Sequence, residues 1–96
     1  MDSKKLENQL FKVLASVSDE KKLKRFLTDL CTPQELEHMA ERLQSARLLM
    51  EGNTYQEVLS KVNVSSATLS RVSKCVKYSD GYKSVLSDFS ESEAQK

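Results

Sequence analysis

The chain is poor in residues that break helices, with two Gly and one Pro among 96 residues. It has no Trp, and aromatic residues make up only 6% of it. An all-β protein of this length needs many turn residues and more β-branched and aromatic side chains, so the scarcity points to helices joined by short loops. One His (His38) and two Cys (Cys31 and Cys75) are the whole stock of His and Cys ligands, and neither Cys belongs to a CxxC or Cys/His cluster. A tetrahedral zinc site lacks its ligands, no metal is expected, and both cysteines read as free thiols in a reducing compartment. No apolar run approaches the roughly 20 residues of a membrane span. The N-terminal stretch lacks the apolar core of a signal peptide, so a soluble intracellular protein is expected. Catalysis has no obvious seat either. The sequence shows no nucleophile–base pair at useful spacing, no Gly-rich phosphate loop and no clustered carboxylates, and the expectation is that the protein is not an enzyme.

What is present is apolar periodicity and local charge. A chain of this length has room for one domain, 1–96, with a modest core, so a partner chain could supply more. The net charge is +1, but its distribution matters more. Residues 54–78 carry Lys61, Arg71, Lys74 and Lys77 against Glu57 alone, a local charge of +3. Residues 33–52 and the tail from Asp80 onward are each −2. A basic segment inside a near-neutral chain is the footprint of a DNA-contacting element, although many charged helix faces are simply solvated.

Leu6, Leu10, Val13, Leu14 and Val17 recur at helical spacing and predict a first amphipathic helix over about 3–17. Ser18-Asp19-Glu20 restarts the chain, and Leu23, Phe26, Leu27 and Leu30 predict a second helix over about 19–31. Thr32-Pro33-Gln34-Glu35 is the sharpest local signal: Thr32 caps free N–H groups, Pro33 suits the first helical position, and Glu35 completes a capping box. A third helix follows, with Met39 and Met50 in its core stripe, and Gly52 suits the left-handed position that ends it. A second capping box, Thr54 to Glu57, opens a helix of about eight residues. Ser65 caps the next, which turns Leu69, Val72 and Val76 inward. Tyr78-Ser79-Asp80-Gly81 is a turn, and a short sixth helix carries Tyr82, Val85, Leu86 and Phe89. Tyr55, Tyr78 and Tyr82 are expected to be rim-packed, with a phosphate contact open to Tyr55, and His38 to face solvent. Residues 90–96 are expected to be disordered.

The segment 54–73 fits a helix-turn-helix. Val58, Val62, Val64, Leu69 and Val72 fall where the two helices would touch, and Asn63-Val64-Ser65 supplies the turn, Asn63 tolerating a left-handed conformation. Ser66, Ala67, Thr68, Ser70 and Arg71 leave small and hydrogen-bonding side chains on the outer face, suited to base edges and phosphates. Leu59 stands where a small residue is usual, and Asn63 replaces the usual Gly. Two packed helices in some other small bundle stay open as an alternative.

The ordered set Thr32-Pro33, Glu35, Arg42, Leu48-Leu49, Gly52, Gln56-Glu57 and Ala67-Thr68-Leu69-Ser70-Arg71 resembles the Trp repressor family, with a one-residue gap just after Gly52. The resemblance covers about 32–77, and the length resembles the YerC/YecD branch of Trp-repressor-like proteins. It implies an all-α fold of six helices in an intertwined homodimer, binding double-stranded DNA at two half-sites. It also implies a corepressor pocket in which two arginines flank a tryptophan ring. Arg42 and Arg71 stand at those positions, and Thr32 matches a residue of the same pocket. Val72 replaces the family's Gly and would intrude on the indole, and Cys75 replaces a Ser that helps hold the ammonium. These two argue against tryptophan as the effector, and a different small ligand, or none, fits as well. The reading is a DNA-binding regulator of the bacterial cytoplasm, nucleoid-associated when bound. Ser65, Ser66, Ala67 and Thr68 are expected near base edges, and Arg71, Lys74, Lys61 and Gln56 on phosphates. The alternative is a non-enzymatic protein–protein interaction module with the same fold.

Overall fold

A computed structural model describes residues 2–89; the tail expected to be disordered, 90–96, lies outside the described residues. Among the described residues there are six helices and no strand: α1 (Ser3–Ala15), α2 (Glu20–Leu30), α3 (Pro33–Met50), α4 (Tyr55–Lys61), α5 (Ser66–Tyr78) and α6 (Gly81–Leu86). No helix among them is long and apolar enough to cross a membrane. The chain divides after Leu36 into two compact units.

The first unit holds α1, α2 and the opening turn of α3. Its helices begin where acids cap them. Asp2 accepts from the Lys5 N–H at 2.9 Å and Asp19 from the Lys22 N–H at 3.0 Å, each satisfying a donor that the first turn leaves free. Helix α1 ends two residues before the expected 17, because the Ser16 hydroxyl and N–H both turn onto the Val13 carbonyl, at 2.6 and 3.1 Å, and tighten the last turn. Helix α2 ends at Leu30, where Cys31 adopts an extended conformation and its N–H closes the final turn on Leu27. No side chain of α1 or α2 is buried. The third start is the predicted capping box: the Thr32 N–H donates to Glu35 Oε1 at 2.8 Å and the Glu35 N–H to Thr32 Oγ1 at 3.1 Å.

The second unit has a small core of Ala46, Val58, Leu69 and Val72, each at most 1% exposed. Ser45 is buried with them, its hydroxyl donating to the Glu41 carbonyl at 2.8 Å, so no polar atom there lacks a partner. Val76, expected inward, is only half-buried. Helix α3 closes as its sequence predicts. Gly52 has φ +98°, its N–H donates to Leu49, and the Asn53 N–H donates to Leu48. That pair of bonds is a Schellman motif, and it requires a residue without a Cβ penalty at the left-handed position. At the other end of the unit, the Arg47 guanidinium lies 5.7 Å from the Phe89 ring centroid, a cation–π contact that ties the chain after α6 to α3.

Two expectations about burial need correction. Met39 and Met50, placed in the core stripe of α3, are 41% and 36% exposed, and Leu43 between them is 44% exposed. The stripe exists, but along it only Ala46 is fully buried, with Leu36 and Leu49 half-buried. Tyr78, expected to pack at a rim, is 84% exposed, because it stands at the last residue of α5, beyond the buried Leu69 and Val72. Tyr55 and Tyr82 are half-buried, and His38 is exposed.

Candidate nucleic-acid interface

The candidate interface lies on α4, α5 and the turn between them. Helix α4 opens with the second predicted capping box, in which the Thr54 N–H donates to Glu57 Oε1 at 2.8 Å and the Glu57 N–H to Thr54 Oγ1 at 3.2 Å. Donation from the Thr54 N–H, then from its hydroxyl, holds the Glu57 carboxyl below the usual carboxylate range; the same pattern at Thr32 lowers Glu35. Helix α4 stops at Lys61, with the Val62 N–H closing on Val58.

The turn differs from its expected form. Asn63 is not left-handed, since no residue other than Gly has positive φ among the described residues. Instead the Val64 N–H donates to the Val62 carbonyl at 2.9 Å. A three-residue turn with negative φ at its centre is an inverse γ-turn, which an Asn or any other L-residue accommodates and which needs no Gly. The chain reaches Ser65 after only three non-helical residues, and Ser65 caps α5 by accepting from the Thr68 N–H at 3.1 Å.

One long-range bond fixes the start of α4 to the start of α5: the Tyr55 hydroxyl donates to the Ser66 carbonyl at 2.9 Å. The sequence offers no local signal for it, because the partners are 11 residues apart. A second missed link lies nearby. Lys61 Nζ donates to Asn53 Oδ1 at 3.0 Å, and Asn53 Nδ2 donates to the Leu48 carbonyl at 3.0 Å. The ammonium at the end of α4 is thus oriented by the loop that follows α3, and it keeps two further protons for an anion.

On α5 the residues separate by helical geometry. Leu69 and Val72 point into the core, while Ser66, Ala67, Arg71 and Lys74 are exposed on the other side. Of the residues expected at DNA, Gln56, Lys61, Ser65, Ser66, Ala67, Arg71 and Lys74 are exposed and Thr68 is half-buried.

Of the residues expected at a ligand pocket, two line a common cleft. Arg42 from α3 meets Ala67, Thr68 and Arg71 from α5 around an open cleft of about 360 Å³. Val72 is in the core and Cys75 is half-buried, and neither lines this cleft. Thr32 belongs to the first unit, where it caps α3.

Comparison with known proteins decides the family. The Trp repressor protein family matches residues 5–90, well beyond the span 32–77 that the motifs mark out. This chain belongs to the Trp repressor family. Its relatives include YerC of Bacillus subtilis (strain 168), a protein of uncharacterized function, which is 40% identical over 89 residues, covering 92% of this chain and 86% of YerC. Among solved structures, a candidate Trp repressor from Staphylococcus aureus superposes with a TM-score of 0.80 at 29% identity, covering 91% of this chain and 92% of that one. A TrpR-like protein from Eubacterium eligens ATCC 27750 gives 0.77 at 34% identity, covering 83% and 84%. Membership makes DNA-binding transcription regulation the family-level role, and a regulatory rather than catalytic one.

Proposed function

We propose that this member of the Trp repressor family is a sequence-specific, non-enzymatic transcription regulator of the bacterial cytoplasm. It represses by occupying a palindromic operator as a homodimer, and α4–α5 is its helix-turn-helix. The observation that carries this reading is the outer face of α5. Its first turn presents the small side chains of Ser65, Ser66 and Ala67 to solvent, with Thr68 half-covered beside them. Small residues let a helix enter the major groove closely, and hydroxyls there reach base edges. Arg71 and Lys74 on α5, with Lys61 and Gln56 on α4, flank that turn and take phosphates. The Tyr55–Ser66 bond and the Ser65 cap hold the reading turn in a fixed attitude to α4.

Dimerisation is supported by apolar surface that the chain leaves open. Leu6, Leu10, Phe11 and Val13 on α1, and Met39 and Leu43 on α3, are between 36% and 62% exposed. Stripes of this kind are expected to close against a second copy. Two α5 helices related by a two-fold axis would read half-sites about one helical turn, roughly 34 Å, apart.

Selection of bound sequences from a random duplex DNA pool, with and without tryptophan, tests the proposal. A recovered palindrome is expected, enriched equally in both arms. Loss of enrichment in both arms refutes DNA recognition, and enrichment only with tryptophan restores the corepressor.

A further inference from the structure

The two helices of the first unit are basic in a way that helix stability does not explain. Helix α1 carries Lys4, Lys5 and Lys12 against Glu7, and α2 carries Lys21, Lys22, Lys24 and Arg25 against Glu20 and Asp29, so each is +2. All seven cations are exposed. Both helices open on the same pattern, Asp-x-Lys-Lys-Leu, at 2–6 and at 19–23. In each, the Asp caps the helix and two lysines follow within the first turn, where the positive end of the helix dipole disfavours them. The last turn of α2, where the dipole favours cations, has none. Helical geometry sets Lys5 and Lys12 on the side of α1 opposite Leu10, with Asn8 and Gln9 beside them, and sets Lys21 and Arg25 opposite the half-buried Leu23 of α2. These faces therefore stay open when the apolar stripes close on a second copy.

We propose that these two basic faces hold the phosphate backbone of duplex DNA, without regard to sequence, on a segment distinct from the one that α4–α5 reads. Charge complementarity carries the assignment. Each DNA strand presents about one phosphate per 3.4 Å of rise. Lys21 and Arg25 lie about one turn apart along α2, roughly 6 Å, and Lys5 and Lys12 about two turns apart along α1, so several cations meet one backbone together. Lys and Arg make the sequence-blind contacts to phosphate, and the carboxamides of Asn8 and Gln9 serve the same oxygens. The capping carboxylates of Asp2 and Asp19 are turned to the backbone N–H groups of Lys5 and Lys22, and leave the ammonium groups to an outside partner. A lipid surface would take up the apolar stripes along with the lysines, and those stripes are the surface proposed for a second copy. The inference goes beyond the operator reading, because it needs no sequence recognition by α5. Through this contact a dimer seated on its operator also holds a further stretch of DNA.

The test follows lysine acetylation by mass spectrometry in the full chain, with a random-sequence duplex, with phosphatidylserine vesicles, and with neither. The duplex should slow modification of Lys5, Lys12, Lys21 and Lys24 severalfold, with the exposed Lys83 of α6 as the unprotected reference. It should add this protection even to a chain already saturated with a duplex cut to its selected palindrome. In parallel, anisotropy measures binding of a labelled random duplex by Arg71→Ala, alone and with Lys5→Gln, Lys12→Gln, Lys21→Gln, Lys24→Gln and Arg25→Gln added. The added changes should weaken affinity about tenfold or more and make the slope of log affinity against log salt shallower by about two. Melting should match the parent, since the replaced side chains are exposed. The α1 pair and the α2 trio, measured separately, keep the test sound if the combined variant fails to fold. No protection by duplex, unchanged affinity and slope, or protection by vesicles in place of duplex overturns the inference. Protection that vanishes once the palindrome is bound overturns the assignment to a distinct segment. Protection on random duplex in a chain that selects no palindrome removes the regulator reading and leaves this contact standing. A palindrome selected by a chain whose lysines stay unprotected does the reverse.

Discussion

The two units of this chain use the same kind of amphipathic helix to different ends. In the second unit, apolar residues of α4 and α5 reach full burial at Val58, Leu69 and Val72. In the first, α1 and α2 carry equally regular apolar stripes and bury no side chain at all, with Phe11 62% and Leu6 52% exposed. Periodicity tells which face of a helix is apolar, but not what covers it. The contrast separates a unit that buries apolar side chains within itself from one that leaves its apolar stripes exposed, the surface proposed above for a second copy.

The predictions probe that division, beginning with the largest effect. Leu69→Ala removes a fully buried side chain from the second unit and should lower the unfolding free energy by about 2–5 kcal/mol in urea titrations. Phe11→Ala, by contrast, should leave the melting of the isolated chain nearly unchanged at low concentration while shifting sedimentation from dimer to monomer. A variant that remains dimeric would place the interface elsewhere. Arg71→Ala leaves the core intact, so its melting should match the parent while affinity for selected DNA falls by roughly 1–3 kcal/mol. Equal affinity would refute the proposed docking of α5. Tyr55→Phe deletes only the hydroxyl that bonds Ser66, at a cost to stability of about 1 kcal/mol. Its DNA affinity should fall as the α4–α5 attitude loosens, and unchanged affinity would show that the turn alone sets it.

The smallest effect is on pH. Glu35 and Glu57 have carboxyl pKa values lowered in the folded chain by N–H and hydroxyl donation from Thr32 and Thr54. Their unfolded values are ordinary, so folding favours the ionised form. This contribution is complete above the ordinary carboxylate range and disappears as pH falls through the lowered folded values. The double variant Glu35→Gln with Glu57→Gln should show a shallower loss of stability in acid. An identical acid profile would mean that the two boxes carry no proton linkage.

How legible all this was in the sequence follows from how local each feature is. Both capping boxes, the Ser65 cap and the Gly52 termination depend on residues within about one turn of each other, and each forms at the expected position. Features set by partners distant in sequence were not readable. Tyr55 finds Ser66 across the turn, and Lys61 finds Asn53 from the far end of α4. Neither pairing has a periodic signature. The conformation of Asn63 was misjudged because its residue type permits a left-handed turn, whereas the neighbouring Val64 N–H selects a γ-turn with negative φ. Met39 and Met50 were placed in a core because apolar spacing alone does not distinguish coverage by the same chain from coverage by another. At the site, the family resemblance grouped Arg42 and Arg71 with Val72 and Cys75, and only the two arginines line the cleft, because Val72 is turned into the core.

The central claim is that α4 and α5 hold DNA by its phosphates, and the salt dependence of affinity tests it most directly. Arg71, Lys74 and Lys61 from each of two copies make about six phosphate contacts, which predicts a slope near −5 for log affinity against log salt. A steep slope of that order, falling by about one for each copy's Arg71 replaced by Ala, is the expected result. Affinity that barely responds to salt would contradict the account and mark this surface as an apolar protein interface.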